Sequence, residues 1–255
     1  MTSLAARLLT WHRHHGRHDL PWQQPRSAYR TWVAEIMLQQ TQVQTVVPYF
    51  QRFMARFPDL PSLAAADEDD VLALWSGLGY YRRARFLHTA ARICVGQYAG
   101  ELPRTLEALM ALPGIGRSTA GAILAQAHGQ RCAILDGNVK RVLTRHAGVH
   151  GWPGDAAVEK RLWLLAEQNT PTRKVVDYTQ AIMDLGATVC TRTQPRCDVC
   201  PLHEDCVAKR DGLTDTLPQR KARKPLPSRH THMLLLVDHQ GRVLLRQRDG
   251  HSVWP

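Results

Sequence analysis

Four of the six cysteines in this chain of 255 residues fall at Cys190, Cys197, Cys200 and Cys206, a C-x6-C-x2-C-x5-C array. No secretory signal precedes them, and thiols clustered in a reducing compartment serve a metal rather than disulfides. The spacing leaves a zinc ion and an iron–sulfur cluster both open. Either would staple a short loop carrying Arg192 and Arg196 to the helix before it. Cys94 and Cys132 stand singly among apolar residues and read as core thiols.

A second chemical signal is Leu112-Pro113-Gly114-Ile115-Gly116, followed at once by helical residues. Two glycines let a backbone come close to a ligand and turn successive N–H groups outward at a helix start, which suits a phosphate. The same five residues would also serve as a plain helix–helix turn. With 33 Lys and Arg against 22 Asp and Glu, the net charge of +11 moves the balance toward phosphate.

Two acids complete the set. Glu35 lies about 60° outside the apolar arc of Tyr29, Trp32, Val33 and Ile36 on a helical wheel, where a plain surface carboxylate is also expected. Asp136, in Ile134-Leu135-Asp136-Gly137-Asn138, precedes a helix and reads as an N-cap, whose backbone N–H groups would keep it ionised.

These residues need a scaffold, and up to residue 190 the apolar period is helical almost throughout. Val43, Val46, Val47, Phe50, Met54 and Phe57 hold one face at i, i+3, i+4 spacing. Asp67 reads as an N-cap ahead of Val71, Leu72 and Trp75. Further helices are predicted over residues 28–38, 80–98, 105–111, 118–128, 138–147, 155–168 and 172–189, divided by Gly, Pro or capping residues. The first eighteen residues are basic and acid-free, as in an organelle transit peptide. Leu4, Arg7, Leu8 and Trp11 nevertheless repeat as on an amphipathic helix, and that reading is preferred. The body, residues 1–217, is therefore all-α.

From Pro218 to Arg229 three prolines and five cations without an acid mark a linker, taken as residues 218–231. Met233 to Val237 and Val243 to Gln247 then flank Gln240-Gly241 as a β-hairpin. A lone hairpin cannot stabilise itself, so residues 232–255 read as the opening of a β-containing domain. An apolar content of 44 % excludes disorder and collagen. No apolar run approaches the ~18 residues of a membrane span. The charge favours a polyanionic partner, nucleic acid before an anionic membrane face.

Taken together, these segments resemble one family. Leu20-Pro21-Trp22, Glu35 to Val43, Trp75 to Tyr81, Leu112 to Gly121, Ile134 to Arg141 and the four cysteines occur in the order of the MutY-type adenine DNA glycosylases. That family belongs to the helix-hairpin-helix and iron–sulfur superfamily, which includes endonuclease III. The resemblance runs from Trp11 to Cys206. It implies a two-lobed all-α fold, a helix-hairpin-helix over residues 105–128, and a 4Fe-4S cluster on Cys190, Cys197, Cys200 and Cys206 in the loop 190–206. It further implies double-stranded DNA with an adenine mispair across the groove between the lobes, and a monomeric cytoplasmic enzyme of bacterial, nucleoid-associated type.

By the same resemblance Glu35 corresponds to the general acid, Asp136 to the carboxylate facing the sugar, and Asn138 to its neighbour. Gln40 and Tyr80 correspond to wedges that fill the gap left by a flipped base. Trp22 and Gln180 would face the extruded adenine, although core packing also suits Trp22. Gly114, Gly116 and Ser118 correspond to the DNA-binding hairpin. Ser118 stands where bifunctional relatives carry a lysine, so the implied enzyme is monofunctional and leaves an abasic site. The C-terminus departs from the pattern: only the opening of a Nudix-like domain is present, without a phosphohydrolase signature, and recognition of 8-oxoguanine is in doubt. A pyrimidine-directed glycosylase of the endonuclease III type and a non-catalytic iron–sulfur DNA-binding protein are the alternatives. Ser118 with the Gln39-Gln40-Thr41-Gln42 run disfavours the first, and the pair of acids the second.

Overall fold

Ser27, Asp59, Thr105, Asp136 and Asp155 each accept a backbone N–H from the first turn of the helix they precede. Such caps are worth about 1 kcal/mol apiece and fix where each helix begins. In the computed structural model, which describes residues 3–221, 228, 230 and 234–245, twelve α-helices follow one another. They are α1 (Leu4–His15), α2 (Ala28–Leu38), α3 (Val43–Arg56), α4 (Leu60–Ala64), α5 (Glu68–Trp75) and α6 (Arg82–Gln97). After them come α7 (Leu106–Met110), α8 (Arg117–His128), α9 (Gly137–His146), α10 (Ala156–Asn169), α11 (Val175–Thr188) and α12 (Val207–Arg210). The amphipathic reading of the N-terminus is realised as α1, and the short α4 and α12 escape the periodicity. Helix α6 begins later than expected because Tyr80 sits at φ 50°, and α11 because Lys174 sits at φ 56°, both in the left-handed region. Asp67 occupies the cap position of α5 without a side-chain bond. Glu68, Asp69 and Asp70 put negative charge in that first turn instead.

Two apolar cores divide these helices into lobes. One gathers Trp32, Phe50, Phe53, Phe57, Trp75 and Leu109 from α2 to α8. The other gathers Leu4 and Leu8 of α1 with Val142, Leu162, Tyr178 and Leu185 of α9 to α11. The chain therefore returns its N-terminal helix to the C-terminal lobe. Helix α8 serves both: Ile123 and Leu124 join the first core and Ala122 the second. It packs on α2 and on α11, so it fixes the distance between lobes.

The chain splits into two units, Met1–Lys221 and Ala222–Pro255. In the second, residues 234–245 make one antiparallel bridge between Val237 and Val243, with Leu244 N–H donating to Leu236 O at 3.0 Å. Among the described residues this is less than the two-stranded hairpin expected, and Leu234, Leu235 and Leu245 are exposed. Met233, Arg246 and Gln247 of the expected strands, and residues 222–227, 229 and 231 of the expected linker, lie outside the described residues.

Candidate active site

Glu35 is half-buried on α2, the helix that packs against α8. Loss of water pushes its carboxyl up from 4.5 to about 8, and the charge of Asp136 adds to the rise. The helical wheel misjudges this side chain, because the face of α2 outside its apolar arc meets Asp136 of the other lobe instead of bulk solvent.

Asp136 caps α9, its Oδ1 accepting the Val139 N–H at 2.8 Å and its Oδ2 lying 3.5 Å from Asn138 Nδ2. Burial raises its carboxyl above the ordinary carboxylate range, while the Val139 N–H, the Arg141 guanidinium and Asn138 pull it back. The expectation that the cap would by itself keep this acid low is thus corrected: desolvation outweighs the bonds. Among the described residues no hydrogen bond reaches the Glu35 carboxylate. Burial therefore raises both carboxyls, and of the two only Asp136 has hydrogen bonds and a guanidinium that favour its charged form.

Asn138 is held from behind. Arg141 donates to Asn138 Oδ1 at 2.8 Å, to Gly186 O at 2.6 Å and to Cys190 O at 2.7 Å. Gly186 permits the contact between α9 and α11, since a Cβ there would lie 2.6 Å from Asn138 Cβ. Arg141 was not singled out from the sequence, though it sits one turn after Asn138 on the same helical face.

Cys190 follows α11, Cys197 and Cys200 bracket a 3-10 turn, and Cys206 caps α12. All four line one pocket together with Arg145, His203 and Lys209. Arg145 is buried and donates to Cys190 Sγ at 3.5 Å and to Thr191 O at 2.6 Å. Burial pushes the Cys200 thiol up to about 11 and raises Cys197 and Cys206 as well. The four half-buried thiols thus share one pocket, where deprotonation is disfavoured at three of them by burial. Arg192 and Arg196 are exposed on the same loop.

At the hairpin the two glycines differ. Gly114 has φ +78° and a Cβ there would meet Phe86 Cβ at 3.0 Å, so its glycine is required by the turn. Gly116 has φ −86° and open space, so it is free of that demand. It is the N-cap of α8 without any side-chain cap, which leaves the first-turn N–H groups for an external acceptor. Gly116→Pro, whose ring suits this φ, removes one such donor. It is expected to weaken binding to an undamaged duplex by about tenfold at fixed salt, read by fluorescence anisotropy. Unchanged affinity in a folded variant would remove the hairpin from the DNA contact. Ser118 Oγ accepts the Leu135 N–H at 3.0 Å, tying α8 to the segment that delivers Asp136.

Gln40 and Tyr80 lie on neighbouring loops, both in left-handed backbone, and Tyr80 is 62 % exposed. Trp22 is buried in the first core with its ring edge-on to Phe50, the packing alternative weighed for it. Gln180 is buried in the second lobe, donating to Asp184 Oδ1 at 2.8 Å, and its Oε1 has no partner. Trp22 and Gln180 therefore belong to different cores.

A helical body with a glycine hairpin and a carboxyl pair between lobes defines a class, and the family model for HhH-GPD superfamily base excision DNA repair proteins matches residues 33–168. An adenine DNA glycosylase of Buchnera aphidicola subsp. Acyrthosiphon pisum is 40 % identical over 97 % of this chain and 70 % of its own length. The human adenine DNA glycosylase is 44 % identical over 82 % of this chain and 40 % of its own. A thermostable thymine-DNA glycosylase shares the fold with a TM-score of 0.72 at 27 % identity, over 81 % of this chain and 95 % of that one. The chain belongs to the HhH-GPD family of base excision repair and, within it, groups with the adenine DNA glycosylases. No helix among the described residues is long and apolar enough to cross a membrane.

Proposed function

We propose that this DNA glycosylase is monofunctional and removes adenine mispaired with 8-oxoguanine or guanine in double-stranded DNA. The observation that carries the reading is the carboxyl pair: Glu35, desolvated and without a hydrogen-bond partner among the described residues, holds its proton to about 8, and Asp136 beside it has the Val139 N–H, Arg141 and Asn138 to favour its charge. With the adenine extruded, Glu35 delivers its proton to the base, at N7, as the C1′–N9 bond breaks and its electron pair leaves with the base. Asp136, oriented by Val139 N–H and Asn138, faces the positive charge that develops on the sugar. Water then adds to C1′, and the proton it releases restores Glu35. Ser118 offers no amine for an attack on the sugar, and its hydroxyl is engaged with Leu135 N–H. Gln40 and Tyr80 act as the wedges, and the Gly114 to Gly116 hairpin takes a phosphate.

Cys190, Cys197, Cys200 and Cys206 would hold a 4Fe-4S cluster. The reading is supported by the four thiols lining one pocket, which a group bound by all four would fill. Bound there, the cluster supplies a rigid staple that presents Arg192 and Arg196 to the DNA backbone.

The test is a duplex panel carrying adenine opposite 8-oxoguanine, adenine opposite guanine, and thymine glycol, with base release followed directly. Adenine release without a borohydride-trapped adduct, from brown protein with four irons per chain, is expected. Release of thymine glycol alone would reverse the substrate assignment, and colourless protein with one zinc would replace the cluster.

A further inference from the structure

Arg83, at the start of α6, makes a set of contacts that the reaction above does not use. Its Nη1 donates to Ile36 O and Met37 O at 3.0 Å each, and also to Gln39 O. Its Nη2 donates to Thr41 Oγ1 at 3.3 Å and to Leu78 O and Gly79 O at 3.2 Å each. The guanidinium thus caps the carbonyl end of α2 and reaches, across the chain, the loop before α6. It also lies 5.5 Å from the ring centroids of both Trp75 and Tyr80.

The residues next to these acceptors are the strained ones. Gln40, after Gln39, has φ 60°, and Tyr80, after Gly79, has φ 50°. A side chain with a Cβ pays about 1 kcal/mol or more for that conformation and keeps it only where its surroundings hold it. One guanidinium holds both. Only a planar fork spans two loops in this way, because a lysine ammonium is a single point of charge.

We propose that Arg83 is a positioning residue for base extrusion: it joins the loops of Gln40 and Tyr80 into one unit and sets both side chains in the geometry that enters the duplex. The inference rests on the wedge reading of those two residues. A purely architectural Arg83 would affect every substrate alike, whereas this role matters only while the adenine is still stacked.

The experiment compares Arg83→Lys, which keeps the charge, with the milder Thr41→Val, which removes one bond. Single-turnover excision is measured on adenine opposite 8-oxoguanine and on adenine opposite an abasic site, where stacking is already weakened. Fluorescence of 2-aminopurine at the target position reports unstacking. In Arg83→Lys the fluorescence gain and excision from the stacked duplex are expected to fall about tenfold, with less than about threefold loss opposite the abasic site. Thr41→Val should fall between it and wild type, and decides the matter alone if Arg83→Lys does not fold. Equal losses on the two duplexes, or wild-type unstacking in both variants, would overturn the proposal. Wild type that releases no adenine sinks the glycosylase reading instead. Normal unstacking in Gln40→Ala and Tyr80→Ala sinks the wedge reading, so the three failures are distinguishable.

Discussion

Glu35→Gln is expected to bind mispaired DNA as wild type does and to release adenine about a thousandfold more slowly at pH 7, because an amide of nearly equal volume has no proton to deliver. The same substitution carries a stability signature of known sign. In the unfolded chain the carboxyl ionises near 4.5, whereas in the folded protein it holds its proton to about 8. Between those values the native state binds the extra proton, so its stability falls as pH rises, and the penalty is complete above pH 8. Glutamine carries no such penalty. The variant should therefore melt progressively higher than wild type from pH 5 upward, with the gap levelling above pH 8. Adenine release by wild-type free enzyme should fail on the alkaline side through the same value. Undiminished single-turnover release by Glu35→Gln at neutral pH would reject Glu35 as the acid, and a melting difference independent of pH would reject its burial as the cause of the shift.

How far this site was legible in the sequence depended on whether a residue's work is local. Asp136 caps its own helix and Gly114 makes its own turn, and both can be read from a few neighbouring residues. The four cysteines were legible as a group for the same reason, and the structure places them around one pocket. Burial of Glu35 was not, since a helical wheel describes the helix that bears the residue and knows nothing of the lobe that will cover it. The rise in the Asp136 carboxyl was missed on the same ground: its hydrogen bonds are local and its desolvation is tertiary. Arg83 and Arg141 looked like ordinary helical cations. The acceptors that tie them to other elements lie more than forty residues away, at Gln39 for one and at Cys190 for the other. The fold fared better, because periodicity marks which helices exist, but the starts of α6 and α11 slipped where Tyr80 and Lys174 take left-handed backbone that side-chain pattern does not encode.

Asp136→Asn separates the cap from the charge. Asparagine is as good an N-cap as aspartate, so the Val139 N–H keeps its acceptor and α9 keeps its start. What is lost is the counter-charge: a carboxylate about 4 Å from a developing cation, at an effective dielectric near 20, is worth roughly 4 kcal/mol, or about a thousandfold in rate. DNA binding should change little, and the melting temperature near neutral pH should rise, since burial raises this carboxyl as it raises Glu35 and the amide carries no such penalty. Asp136→Ala should lose the same rate and be about 1 kcal/mol less stable than Asp136→Asn. A second consequence follows from the coupling of the two acids. The Asp136 charge is one of the two causes that raise Glu35. Removing it should lower the Glu35 value, so the alkaline limb of the residual activity must move to lower pH than in wild type. Because both acids serve one transition state, the double variant should be scarcely slower than either single one. An alkaline limb that stays in place in Asp136→Asn would mean that the acids do not interact, and losses that multiply in the double variant would mean that they do not act on the same step.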